Sequence, residues 1–134
     1  MLSHSHTFRP IYGDTDMMGV VYYANYFRYF EAGRTEFLRS VGFQYKEFER
    51  SGFALPVVSA SARYHAPARY DDELALETTL SEVRFSTVRM TYRLVRATDE
   101  SLIATGETRH ACIGPEGRVV RLPEAFLKLL GDEK

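Results

Sequence analysis

One long helical period followed by two-residue alternation almost to the end limits the fold of this chain more than any other pattern. Between residues 22 and 41 the apolar residues Tyr23, Tyr26, Phe27, Phe30, Phe37, Leu38 and Val41 recur at helical spacing, and Gly42 follows as a C-cap. Arg28, Glu31, Arg34, Thr35, Glu36 and Arg39 fill the other side, so the predicted helix buries one flank only. Gly33 in its middle costs about 1 kcal/mol against alanine, which predicts close packing of another segment there. A short helix over Tyr45–Arg50 is closed by Gly52, and the pattern then changes. Residues 57–64, 74–81, 88–94 and 102–113 read as strands, the last interrupted in character by Gly106. Turn residues mark 67–72, 98–101 and 114–117, and Pro123-Glu124 opens a terminal helix through Phe126, Leu127, Leu129 and Leu130. Residues 7–12 read as a first strand, and His4 and His6 before it as a frayed start without partners for a metal. One helix and several antiparallel strands imply an α+β fold in which a curved sheet covers the helix and a second copy completes its edges or faces.

The 134 residues suit one domain, 1–134, with a single core. Acidic and basic residues nearly cancel, leaving a formal charge of −1 and no general attraction to nucleic acid or to an anionic membrane. An anion site therefore has to be local. Cys112 stands alone, which excludes an intramolecular disulfide, and no segment reads as a transmembrane helix or secretory signal. The expectation is a soluble cytoplasmic protein without metal or cofactor.

Chemistry concentrates in residues 12–26, where the acidic loop Asp14-Thr15-Asp16 runs into the aromatic helix. Such a junction sets a carboxylate beside the unpaired N–H groups of a helix start, an attacking base next to an oxyanion-binding pole. Asp14 suits a turn and a helix cap. Asp16 fits a cap or a catalytic role, the latter because no competing nucleophile is organised elsewhere: there is no Gly-x-Ser-x-Gly elbow, and Cys112 lies in a predicted strand. His65 and His110 lie in or at the end of strands without a partner encoded by spacing and read as structural. The rings of Tyr23, Tyr26, Phe27 and Phe30 line a pocket or fill a core, and Asn25 braces the helix start or orients water.

The run Asp14-Thr15-Asp16-Met17-Met18-Gly19-Val20-Val21-Tyr22, followed by Asn25-Tyr26 and Arg34-Thr35-Glu36 and taken with residues 64–74, resembles the 4-hydroxybenzoyl-CoA thioesterase family of hotdog-fold proteins. Within it the likeness is nearest to the acyl-CoA thioesterases associated with the bacterial Tol–Pal system. This resemblance implies a five-stranded antiparallel sheet wrapped around the helix, a homodimer joining two sheets, often a homotetramer, and active sites at the subunit interface. It places the catalytic aspartate, nucleophile or general base, on Asp16 and the oxyanion donor on the backbone N–H of Tyr23. Tol–Pal-associated members often carry histidine at the position of Tyr23, and the hydroxybenzoyl enzymes tyrosine. The implied reaction is hydrolysis of an acyl- or aryl-CoA thioester to free acid and CoA. Its phosphates call for a basic patch, for which Arg84 with Ser86 and Thr87, then Arg118 and Arg121, are the candidates, with Asn25 and Tyr26 nearer the acyl group. Two rival readings are a noncatalytic acyl-CoA-binding or scaffold protein and a hydratase acting on an enoyl thioester.

Overall fold

The computed structural model describes residues 2–130, and the side chains of Leu129 and Leu130 lie outside what it describes. In chain order it contains β1 (Ser3–Phe8), a 3-10 turn (Tyr12–Asp14), α1 (Asn25–Ser40), α2 (Tyr45–Arg50), β2 (Val57–Tyr64), β3 (Leu74–Val83), β4 (Thr87–Arg96), β5 (Leu102–Ala111) and α3 (Glu124–Leu130). The strands form one five-stranded sheet in the order β1-β3-β4-β5-β2, every neighbouring pair antiparallel. This is the hotdog arrangement, and α1 is the helix it wraps.

Two elements start three or more residues away from where the sequence reading puts them. The first strand is Ser3–Phe8, not 7–12, and it runs from Ser3 opposite Thr79 to Phe8 opposite Leu74. Pro10 has no N–H to continue a ladder, and beyond it the chain tightens as Asp14 N–H donates to the Ile11 carbonyl at 2.9 Å. His4 and His6 are therefore strand residues rather than a frayed end. The long helix starts at Asn25, not at Tyr22, because Tyr22 N–H is taken by the Asp14 carbonyl at 2.9 Å and holds that residue in the loop.

Tyr26, Tyr29, Phe30, Gly33 and Phe37 form the buried flank of α1, at i, i+3, i+4, i+7 and i+11. Tyr23 and Phe27, which share the helical period, stay exposed at 61% and 37%. Phe30 stacks on Tyr92 of β4 with centroids 4.4 Å apart and planes 8° from parallel. Two glycines make that depth possible. A Cβ on Gly33 would lie 2.5 Å from Leu76 Cδ2 and 2.6 Å from Thr78 Oγ1, and one on Gly106 would collide with the Phe30 ring. Gly33 thus repays its helical cost through the close approach of β3. Burying each of Phe30, Phe37, Leu74, Leu76, Leu94 and Ile103 fully stabilises the fold by about 1.5–3 kcal/mol.

The two edges of the sheet differ in character. β1 alternates exposed and half-buried residues along its length. β2 is exposed over almost all of its eight residues, with Val57, Val58 and Tyr64 presenting apolar surface on an unpaired edge. Among the described residues no helix is long and apolar enough to cross a membrane.

Candidate active site

The acidic loop is closed at its base by Tyr22 N–H to the Asp14 carbonyl, by an isolated bridge between Thr15 and Val21, and by Val21 N–H to the Ala68 carbonyl at 2.8 Å. Inside it, Asp16 N–H donates to the Val20 carbonyl and Gly19 N–H to the Asp16 carbonyl, both at 2.9 Å. Gly19 takes a left-handed φ of 79°, which the turn requires and which glycine alone adopts without strain. Asp16 Oδ1 accepts the Met18 N–H at 2.9 Å, an Asx turn that orients the carboxylate, while Oδ2 has no hydrogen-bond partner among the described residues. The side chain is half-buried, and its neighbours Met17 and Met18 are fully exposed.

Tyr23 and Ala24 lie just before α1, and among the described residues their N–H groups have no backbone or side-chain acceptor. These are orphan donors at the positive end of the helix. The Tyr23 carbonyl accepts the Tyr64 hydroxyl at 3.1 Å, which ties this corner to the end of β2. One loop, closed at its base, thus carries both the carboxylate of Asp16 and, at its end, the unpaired N–H of Tyr23.

Asp14, two residues earlier, is buried and saturated. Its Oδ2 accepts the Tyr29 hydroxyl at 2.9 Å and the Ile11 N–H at 3.1 Å, and its Oδ1 accepts Arg28 Nη1 at 3.2 Å. Burial, reinforced by this bond to the Asp14 carboxylate, pushes the Tyr29 phenol far above its ordinary range. Asn25 Nδ2 donates to the Asp14 carbonyl at 2.9 Å, so Asn25 braces the loop. Tyr26 needs correction as a substrate-binding residue. It is 3% exposed, packed edge-on against Tyr29 and Tyr64 in the core, because its position on α1 faces the sheet.

The basic candidates gather at the other end of the sheet. Arg84 lies in the β3–β4 turn beside Phe85, Ser86 and Thr87, and its Nη2 lies 2.6 Å from the Glu82 carboxylate. Arg121 stacks over the Phe85 ring at 5.6 Å, and Leu122 N–H donates to the Phe85 carbonyl, so the segment after β5 folds onto this turn. Arg118 lies in the same segment and its carbonyl accepts the Gly114 N–H. Tyr64 is registered to Ala104 and Thr87 to Ala111, so about 23 Å of β5 separates the two places at 3.3 Å per residue. One chain therefore brings Arg84, Ser86, Thr87, Arg118 and Arg121 together but keeps them away from Asp16. Linear spacing carried no sign of that separation.

A feature the sequence reading missed is a cavity of about 710 Å³ between the C-terminal half of α1, the α1–α2 connection, β4, β5 and Phe126 of α3. Its wall carries Glu31, Thr35, Arg39, Gln44, Tyr45 and Lys46, and two further polar residues, Arg34 and His110. They are joined by a chain of bonds: Arg34 Nη1 to Tyr92 Oη at 3.3 Å, Tyr92 Oη to Thr108 Oγ1 at 2.6 Å, Thr108 Oγ1 to His110 Nε2 at 2.9 Å, and His110 Nδ1 to the Leu55 carbonyl at 3.1 Å. A carbonyl at Nδ1 demands the N–H there, so Nε2 accepts from Thr108, Thr108 accepts from Tyr92, and Tyr92 accepts from Arg34. Burial holds the His110 imidazole below its ordinary range, the bond to Leu55 opposes this, and the Arg34 charge adds to the lowering. In the sequence Arg34 reads as part of the polar side of the helix and His110 as structural, and nothing in the spacing links them.

A sheet wrapped on a helix, with a carboxylate turn at the helix start, defines a hotdog protein of the thioesterase class. The chain belongs to the thioesterase-like superfamily, whose family model matches residues 12–130. It is 37% identical over 116 residues to the acyl-CoA thioesterase YbgC of Haemophilus influenzae, covering 84% of each chain. Among solved structures it is similar to Slr0204, a 1,4-dihydroxy-2-naphthoyl-CoA thioesterase from Synechocystis, with TM-score 0.90, 26% identity and coverage of 98% of this chain and 97% of that one. It is likewise similar to a 4-hydroxybenzoyl-CoA thioesterase variant complexed with 4-hydroxybenzoyl-CoA, with TM-score 0.84, 25% identity and coverage of 96% and 99%.

Proposed function

We propose that this protein hydrolyses an acyl- or aryl-CoA thioester to the free acid and CoA. The observation that carries the reading is the closed turn in which Asp16 keeps one carboxylate oxygen free while the Tyr23 N–H stands unpaired at the start of α1. In this reading the thioester carbonyl oxygen sits against the Tyr23 N–H, which stabilises the negative charge as it develops. One such donor is typically worth about a hundred- to a thousandfold in rate. Asp16 either removes a proton from the water that attacks the carbonyl carbon, or attacks that carbon itself to give a mixed anhydride that water then opens. Both routes expel the CoA thiolate, which takes up a proton, and leave a carboxylate. Similar proteins named for acyl-CoA and for hydroxylated aryl-CoA substrates support the class of substrate.

A second copy would close the distance between Asp16 and the arginine cluster. The exposed edge of β2 suits isologous antiparallel pairing across a two-fold axis, which sets the Tyr64 end of one copy against the Val57 end of the other. The arginines of one copy would then approach the acidic turn of its mate, where CoA phosphates need them. Sedimentation at assay concentration tests the assembly, and an active monomer would overturn it.

The chemistry is tested by thiol release from a panel of acyl- and aryl-CoA thioesters, comparing the wild type with Asp16→Asn. Turnover by the wild type and its loss in the variant, with an unchanged melting temperature, is the expected result. Equal rates in both proteins would remove Asp16 from the mechanism, and ligand affinity without any turnover would favour a binding protein.

A further inference from the structure

Phe27, Glu31, Arg34 and Leu38 lie at i, i+4, i+7 and i+11 of α1, one stripe that leads from the helix start into the cavity. Glu31 stands at the near end, about 9 Å along the axis from Asn25 at 1.5 Å per residue. Beyond it Leu38, Leu55, Met90 and Phe126 give an apolar wall; Arg39 and Lys46 also line the space but are exposed, and Arg39 is paired with Glu36 at 2.6 Å, which leaves Arg34 as the half-buried cation of the lining, with His110 beside it. The Arg34 guanidinium is half-buried, yet it spends one N–H on Tyr92 and makes no ion pair within 4.0 Å among the described residues, Glu31 included. Removing a cation from water without a counter-charge is costly, and an acceptor entering the cavity offsets that cost. His110 faces the same space as a neutral ring whose hydrogen bonds are already committed, so the half-buried charge left for a ligand is that of Arg34.

We propose that this cavity receives the far end of the acyl group and that Arg34 selects an oxygen acceptor there, a carboxylate before a hydroxyl. The inference rests on the thioesterase reading and adds the substrate class. Tyr92, Thr108 and His110 act as positioning residues: they hold one edge of the guanidinium against the sheet and leave its other donors directed at the ligand. A carboxylate pairs with two parallel N–H groups, whereas a terminal methyl leaves the cation unpaired.

The test uses three acyl-CoA thioesters of the chain length the wild type hydrolyses best, ending in methyl, hydroxyl or carboxylate. The expected kcat/KM is at least about tenfold higher for the carboxylate than for the methyl end, with the hydroxyl between them. In Arg34→Met the ratio falls to near one. In Tyr92→Phe, which keeps the cation but releases its edge, the ratio falls part of the way. Turnover by the wild type without end-group preference overturns the cavity assignment and leaves the thioesterase reading standing. Release of no thiol from any of the three, or from the wider panel, overturns the thioesterase reading instead. If Arg34→Met does not fold, as judged by its melting curve, Tyr92→Phe decides alone, and an unchanged ratio in it refutes the proposal.

Discussion

The 3-10 turn holding Asp14 and the Asx turn holding Asp16 lie two residues apart and use the same side chain for opposite ends. At Asp14 both oxygens are occupied by a phenol, a backbone N–H and a guanidinium, and the carboxylate is buried. At Asp16 one oxygen is fixed by Met18 N–H and the other is left over, in a half-buried position in the loop that leads to the unpaired Tyr23 N–H. A saturated acid stabilises a fold and an unsaturated one is available to a substrate. The difference comes from the backbone, since the Asp14 turn points into the helix and sheet whereas the Gly19 turn points out.

This contrast breaks most sharply at Asp16. Asp16→Asn preserves the Asx turn through its remaining carbonyl oxygen and is expected to lower kcat by about a thousandfold or more, roughly 4 kcal/mol of barrier, while its thermal melt stays within a degree or two of the wild type. Asp14→Ala should do the reverse. It strips the buried acceptor from Tyr29 and Ile11, and denaturant titration should show a loss of about 3 kcal/mol in stability, with little of it owed to Arg28, whose side chain is 65% exposed. A melt of Asp14→Ala like that of the wild type would erase the distinction between the two turns. Tyr29→Phe removes one charge-assisted bond to the same carboxylate and should cost about 2 kcal/mol by the same titration, again with kcat spared. The smallest effect lies far from both turns. His110 is held below its ordinary value of 6.5 by burial, so above that pH both folded and unfolded states are neutral, and below it the unfolded state takes the proton first. Folding stability should therefore fall as pH drops from 6.5 toward the lowered folded value, and His110→Asn should flatten that limb of the curve.

Most of the architecture was legible in the residues. Val57–Tyr64 is β2 as read, and the alternation of Leu74, Leu76, Thr78 and Leu80 is the inner side of β3. The first strand was misplaced because Ser3–Phe8 pairs through its backbone and carries serine and histidine where an apolar alternation would have advertised it. The start of α1 was set too early because Tyr22 and Tyr23 keep the helical period in sequence while their backbone closes the acidic loop. Of the candidate site, Asp16 and the helix start were visible as a motif. The grouping of Arg84 with Arg121 across Phe85, and of Arg34 with His110 through Tyr92 and Thr108, was not, since each pair is assembled by strand register between segments far apart in the chain.

The two missing side chains at Gly33 and Gly106 set the height of α1 above the sheet, and everything mounted on the helix inherits that height. Under the proposed reading, residues on its outer stripe can be exchanged to suit a longer, shorter or more polar cargo without moving the Asp16 corner. A single methyl added at either glycine would instead lift the whole helix and shift every fitting at once. Diversification of such a protein is thus channelled: the outer stripe is free to vary, while the depth of its central helix is not.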